Sequence, residues 1–113
     1  MDLDSWNTED LEKIAKVSDI GHEARAALLL GLNSGKSTTE IAEFLGITRP
    51  SLQDHLDKLV DSELIYRPRE KGKAYALTPL GQYYAVRLQE DGNVIIKVLD
   101  RLEETEQQLR EEK

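Results

Sequence analysis

Residues 37–66 constrain the fold more than any other part of this chain. They read Ser-Thr-Thr-Glu-Ile-Ala-Glu-Phe-Leu-Gly-Ile-Thr-Arg-Pro-Ser-Leu-Gln-Asp-His-Leu-Asp-Lys-Leu-Val-Asp-Ser-Glu-Leu-Ile-Tyr. Ser37 and Glu40 have the spacing of a capping box, in which each side chain satisfies a backbone N–H that the first helical turn leaves open. Ile41, Ala42, Phe44 and Leu45 give the short helix that follows an apolar side. Gly46 stands where a left-handed residue can close it. Thr48 opens a second helix, and Pro50 lies in its first turn, where a missing N–H costs nothing. Leu52, Leu56, Leu59 and Val60 fall at i, i+4, i+7 and i+8 and turn toward a core. Arg49, Ser51, Gln53, Asp54, His55 and Lys58 are left to face outward. A short capped helix, a glycine turn and a longer capped helix form a geometry able to lay one helix in the major groove of DNA.

The flanking segments extend this frame. Thr8 opens a helical pattern carried by Leu11, Ile14, Ala15 and Val17, with Glu9 and Asp10 in the first turn, where the helix dipole favours anions. Trp6 is placed to act as a hydrophobic staple ahead of it. Ser18 or Asp19 caps the next helix. Ile20, Ala24, Ala27, Leu28, Leu30 and Leu32 surround much of that helix, so it is expected to be largely buried, ending at Asn33-Ser34-Gly35. Beyond the central stretch, residues 64–67 and 73–77 read as two strands. The tip between them contains Gly72, which can take positive φ, and Tyr66 and Tyr75 are candidate cross-strand neighbours. Thr78-Pro79 caps a further helix bearing Leu80, Tyr83, Tyr84, Val86 and Leu88, with a break or kink at Asp91-Gly92-Asn93. From residue 94 onward, Ile95, Val98, Leu102, Thr105 and Leu109 recur in steps of three and four, the seam of a coiled coil, with Leu99 beside it. Such a stripe must be buried somewhere, and pairing with a second copy is the expectation.

Charge and composition narrow the function classes. The chain of 113 residues carries a net charge of -7, whereas DNA-binding domains usually show a basic footprint. The charge is uneven. Residues 1–47 hold nine acids and four bases, residues 48–78 hold five acids and six bases, and residues 79–113 hold eight acids and five bases. Only the middle is net positive. There is no cysteine, which excludes disulfides and thiolate metal sites. No run approaches the roughly 20 apolar residues of a membrane span, and the acidic N-terminus is unlike a signal peptide, so a cytoplasmic protein is expected. Gly35-Lys36-Ser37 matches only the end of a phosphate-binding loop. Position 30 is Leu where that motif has its first Gly, and no strand precedes it, so it reads as a loop and helix cap. His22 and His55 have no nucleophile pattern around them. No catalytic residues, metal site or cofactor are expected.

The arrangement resembles the winged helix-turn-helix regulators of the ArsR and MarR kind. The likeness lies in Gly21-His22-Glu23-Ala24-Arg25, in residues 39–48 as helix and turn, in residues 51–59 as the recognition helix, and in Tyr75-Ala76-Leu77-Thr78-Pro79-Leu80-Gly81 as the exit from the wing. The fold implied is mainly α (α+β), a winged helix-turn-helix with a two-stranded wing and a C-terminal dimerisation helix. Three regions are expected: residues 1–17 as an acidic N-terminal arm and helix, residues 18–78 as the winged helix-turn-helix domain, and residues 79–113 as C-terminal helices for dimerisation. The function implied is sequence-specific binding of double-stranded DNA by a homodimer that regulates transcription.

Thr48, Arg49, Ser51, Gln53, His55 and Lys58 are the candidate contacts on the recognition helix. Arg suits guanine O6 and N7, Gln suits adenine N6 and N7, and Thr48 and Ser51 suit phosphate. Arg67, Arg69, Lys71 and Lys73 on the wing would meet the DNA backbone or minor groove and give salt-dependent affinity. Ile95, Val98, Leu99, Leu102 and Leu109 are the candidate dimerisation residues. The alternative is a winged-helix protein-interaction module that binds a protein partner and no DNA, a use that suits the acidity. A further alternative places a small ligand near Tyr83, Tyr84 and Trp6.

Overall fold

The computed structural model describes residues 7–17, 22–70 and 74–111. Its element order is α1 (Thr8–Val17), α2 (Glu23–Asn33), α3 (Thr38–Leu45), α4 (Arg49–Asp61), β1 (Ile65–Tyr66), β2 (Ala76–Leu77) and α5 (Pro79–Glu111). The architecture is mainly helical with one antiparallel hairpin, as the sequence implies.

Helix α2 is the centre of the core. Its run Ala24, Ala26, Ala27, Leu28, Leu29, Leu30 and Gly31 is buried on nearly every side, as a helix apolar around its circumference must be. Leu11 and Ile14 of α1, Ile41 of α3, Leu56 and Leu59 of α4, Leu64 and Ile65 at the start of the hairpin, and Ala85 and Leu88 of α5 close around it. Burying a Leu or Ile side chain stabilises by about 1.5–3 kcal/mol, so this cluster supplies most of the driving force for folding.

Helix α2 begins at Glu23, and its N-cap is His22, whose Nδ1 accepts from the Ala24 N–H at 3.0 Å. The expected caps Ser18 and Asp19 lie outside the described residues, as do Trp6, Ile20 and Gly72. Helix α1 is capped by Asn7, which exchanges side-chain to backbone bonds with Asp10 in both directions.

The expected capping box is present: Ser37 Oγ accepts from the Glu40 N–H at 3.1 Å, and Glu40 Oε1 accepts from the Ser37 N–H at 3.3 Å. Gly46 ends α3 with φ of 66°, the left-handed conformation its position calls for. Glu63 takes the same region after α4, with φ of 62°, and turns the chain into β1.

The hairpin is shorter and differently registered than the sequence suggests. Ile65 pairs with Leu77 and Tyr66 with Ala76, so Tyr75 is not the cross-strand partner of Tyr66. Tyr75 instead reaches back to α4.

Thr78 joins the wing to α5. Its Oγ1 donates to the Glu63 carbonyl at 2.7 Å and accepts from the Gly81 N–H at 2.9 Å, and its own N–H donates to the Leu64 carbonyl at 3.1 Å. The first turn of α5 therefore lies against the backbone of residue 64. A Cβ on Gly81 would stand 1.9 Å from the Leu64 oxygen, so only glycine fits there.

The expected break at Asp91-Gly92-Asn93 is absent: α5 continues unbroken through it. Gly92 is buried on the same side as Gly81, Ala85 and Leu88, the side that packs on α1 and α2. Local propensity reads Asp-Gly-Asn as a turn, but the roughly 1 kcal/mol that an interior glycine costs is offset by this packing. Lys13 of α1 also ties α5 back, through an ion pair with Glu103 at 3.1 Å. At 33 residues α5 is about 50 Å long, and the molecule measures 62 × 27 × 21 Å. Among the described residues no helix is long and apolar enough to cross a membrane.

Candidate nucleic-acid interface

Helix α4 presents its polar side outward because Leu56 and Leu59 are drawn into the core. Thr48 caps it, its Oγ1 accepting from the Ser51 N–H at 3.3 Å. Thr48, Arg49, Gln53 and Lys58 are exposed and Ser51 is half-buried, so five of the six expected contacts on this helix reach the surface.

His55 is the exception. It is only 7 % exposed, and its ring packs against that of His22 at a 40° tilt with centroids 4.5 Å apart. It faces α2, not solvent, which removes it from any direct contact with DNA. The reason is geometric: position 55 adjoins Leu56 and Leu59 on the inward flank, and the sequence counts a histidine as polar wherever it falls. Burial, then the charges of His22 and Arg25, push its imidazole below the usual value of 6.5.

A side-chain network crosses the outward face. Gln53 Nε2 donates to Asp57 Oδ1 at 3.0 Å and to the Tyr75 hydroxyl at 3.3 Å. Arg67 Nη2 donates to the same Asp57 oxygen at 2.9 Å. The Gln53 amide first, and then the Arg67 guanidinium, hold the Asp57 carboxyl below the usual carboxylate range. Asp57 in turn raises Arg67 further. Arg67, expected to meet phosphate, is turned instead toward α4. Lys58 pairs with Asp54 at 3.5 Å along the helix. Arg69 is exposed, while Lys71 and Lys73 lie outside the described residues. Asp57 and Tyr75 belong to this site although the sequence marks neither as a neighbour of Gln53. The Gln53–Asp57 spacing of i, i+4 is the one local signal, and the Tyr75 contact spans 22 residues.

The distal part of α5 carries the second candidate surface. Val98, Leu102 and Leu109 are 49 %, 58 % and 57 % exposed, and Ile95 and Leu99 are half-buried. Ile96, outside the expected seam, packs on the core. Leu80, Tyr83 and Val94 are also exposed large apolar residues. Tyr84 is half-buried beside a cleft of about 410 Å³ that Arg25, Leu59, Leu64 and Leu80 also line. Among the described residues no group of acidic or histidine side chains is arranged to hold a metal ion.

These features define a winged helix-turn-helix architecture: α3 and α4 form the helix-turn-helix, and β1 and β2 form the base of the wing. Residues 20–66 match the family model described as Helix-turn-helix domain. The fold is similar to that of a MarR family protein of Mycobacterium tuberculosis, seen in complex with p-aminosalicylic acid. The two share 20 % identity, 96 % of this chain and 91 % of that chain are covered, and the TM-score is 0.65. The salicylic acid complex of that protein gives 20 % identity, 98 % and 90 % coverage and a TM-score of 0.63. The Adhesin competence repressor of Streptococcus pyogenes shares 18 % identity over 80 % of this chain and 69 % of that chain, with a TM-score of 0.56. No curated protein matches the sequence. The chain thus has the fold of the MarR-type winged helix-turn-helix regulators.

Proposed function

We propose that this chain is a cytoplasmic, sequence-specific DNA-binding transcriptional regulator that acts as a homodimer. The recognition helix α4 enters the major groove, the wing meets the backbone or minor groove, and the distal part of α5 joins the two copies. The observation that carries this reading is the outward polar face of α4. Arg49, Ser51 and Gln53 stand on a helix capped by Thr48 and backed by a helix-turn-helix frame. Arg49 suits guanine, and Thr48 and Ser51 near the helix N-terminus suit phosphate.

Arg69, Lys71 and Lys73 form the electrostatic part of the contact. Arg67 supports α4 through Asp57 and contributes less to phosphate binding. Val98, Leu102 and Leu109 would be covered by the same residues of a second copy, as an isologous two-fold contact requires, with Ile95 and Leu99 at its margin. Two copies joined in this way would offer two α4 helices to successive major grooves, about one helical turn apart.

The test is a fluorescence anisotropy titration of the protein against a genomic or promoter duplex at several salt concentrations. Binding that weakens steeply as salt rises supports the reading, since released counterions give log K a negative slope against log salt. Arg69→Ala combined with Lys71→Ala should reduce that slope by roughly one per lost phosphate contact. An absence of binding at every salt concentration favours the protein-interaction alternative, which the net charge of -7 supports.

A further inference from the structure

Gln53 stands at the middle of the outward face of α4, and its amide is already engaged before any DNA arrives. One oxygen of Asp57 receives both Gln53 Nε2, at 3.0 Å, and Arg67 Nη2, at 2.9 Å. The Tyr75 hydroxyl, from the wing, lies 3.3 Å from the same Gln53 nitrogen. An ionised carboxylate can only accept, so the amide must turn its NH₂ end toward Asp57 and not its carbonyl. Asp57 is ionised at neutral pH, as an ordinary carboxyl is, and Gln53 and Arg67 hold its carboxyl lower still. An amide NH₂ has two hydrogens. Asp57 takes one and Tyr75 takes the other. Oε1 is the one polar atom of the side chain that these contacts leave for a base edge.

We infer that Gln53 reads DNA as a fixed hydrogen-bond acceptor, oriented by Asp57, Tyr75 and Arg67, and therefore selects a facing base that offers an exocyclic amino group, adenine N6 or cytosine N4. An unrestrained glutamine behaves differently: it swings to pair both N6 and N7 of adenine with its oxygen and its NH₂. The restrained amide cannot donate to N7. Guanine N7 and O6 and thymine O4 are all acceptors, and each would face Oε1 with two acceptors opposed and no proton between them. Adenine and cytosine are both accepted at this position, and guanine and thymine are both rejected. Asp57, Arg67 and Tyr75 act through Gln53 as positioning residues. The same contacts tie the base of the wing to the recognition helix, so the wing's placement and the base preference are linked. This inference rests on the DNA-binding reading given above.

The experiment is selection from a randomised duplex library, followed by sequencing of the bound pool, for the wild-type protein and for Gln53→Ala, Asp57→Ala and Tyr75→Phe. Gln53→Ala identifies the base position by levelling it. At that position the wild type should favour adenine and cytosine over guanine and thymine by about three- to tenfold, the worth of one hydrogen bond. Asp57→Ala and Tyr75→Phe should free the amide. Cytosine should then fall relative to adenine and guanine should rise, with the other positions unchanged. If both variants leave the preference at the Gln53 position as it was, the restraint is refuted while DNA binding stands. If the wild type enriches no sequence, the DNA-binding reading fails and this one with it. A second measurement is independent of DNA. NMR titration of the free protein should find the Asp57 carboxyl below its ordinary value and rising in Gln53→Ala and in Arg67→Ala. An Asp57 that titrates identically in the wild type, in Gln53→Ala and in Arg67→Ala, together with an unchanged base preference in Asp57→Ala, overturns the inference.

Discussion

Helix α4 buries one side and exposes a polar one, whereas the distal part of α5 is exposed nearly all round and carries an apolar stripe among its charges. On α4 the exposed side is polar and largely self-satisfied: Thr48 caps Ser51, Lys58 pairs with Asp54, and Gln53 and Arg67 converge on Asp57. Nothing there requires a partner for stability, and a helix in that condition can wait for a ligand. On α5 the exposed surface includes an apolar stripe, with Val94, Val98, Leu102 and Leu109 in contact with water. Ion pairs such as Arg110 with Glu106 flank this stripe and do not cover it. A single copy can maintain the first surface, whereas the second is the one that the proposed pairing with another copy would cover. The contrast suggests a division of labour in which α5 sets the assembly and α4 sets what the assembly recognises.

The largest effect should come from charging the α5 stripe. Val98→Asp with Leu102→Asp places unpaired carboxylates in the proposed dimer contact, at about 3–5 kcal/mol for a buried unpaired charge. Sedimentation should then show a single subunit at concentrations where the wild type is paired, with little loss of helix by circular dichroism. Unchanged mass would show that the α5 stripe does not join two copies.

Next comes the joint between the two regions. Gly81→Ala drives a methyl into the Leu64 carbonyl and should cost about 3 kcal/mol or more, read as a lower urea midpoint or as failure to fold. Arg49→Ala should weaken duplex binding by about 1–3 kcal/mol while leaving the melting temperature nearly unchanged, because its side chain is exposed. Ser37→Ala removes the capping box under α4's partner helix and should lower stability by about 1 kcal/mol in chemical unfolding.

The smallest effect is in pH dependence. His55 is held below the ordinary imidazole value of 6.5, by burial first, then by His22 and Arg25, with Lys58 adding to this and Asp54 opposing it. Between its lowered folded value and 6.5 the unfolded chain binds the extra proton and the folded chain does not, so stability rises with pH in that window. It is fully present above the ordinary value and declines as pH falls toward the folded one. Melting curves between about pH 7.5 and 5 should slope accordingly, and His55→Gln should flatten part of that slope. An unaltered slope would show that other groups cause it.

The sequence disclosed these regions unequally, for physical reasons. Local chemistry marks helix ends, so the Ser37 and Glu40 box, the left-handed Gly46, the Thr48 cap and the Thr78 entry to α5 were all legible. The spacing of Leu52, Leu56 and Leu59 likewise foretold which side of α4 faces inward. Features decided by tertiary packing were not legible. Gly92 reads as a turn and lies buried inside a continuous helix that packs on α1 and α2. Tyr75 reads as a strand residue facing Tyr66, yet the register moves it off that pair and onto Gln53. His55 reads as outward and polar, yet its position on the helix places it against His22. The acceptor-only presentation of Gln53 depends on a tyrosine and an arginine brought in by the wing, and no local pattern encodes such a meeting.

Whether α4 is the DNA-reading helix is tested by NMR chemical-shift mapping of the protein as a promoter duplex is added at low salt. The amide signals of residues 48–58 in α4 and of the wing around Arg69 should shift first and furthest, while those of residues 94–109 in α5 stay in place. Shifts concentrated on α5, or no shifts on α4 at saturating duplex, would contradict that role for α4.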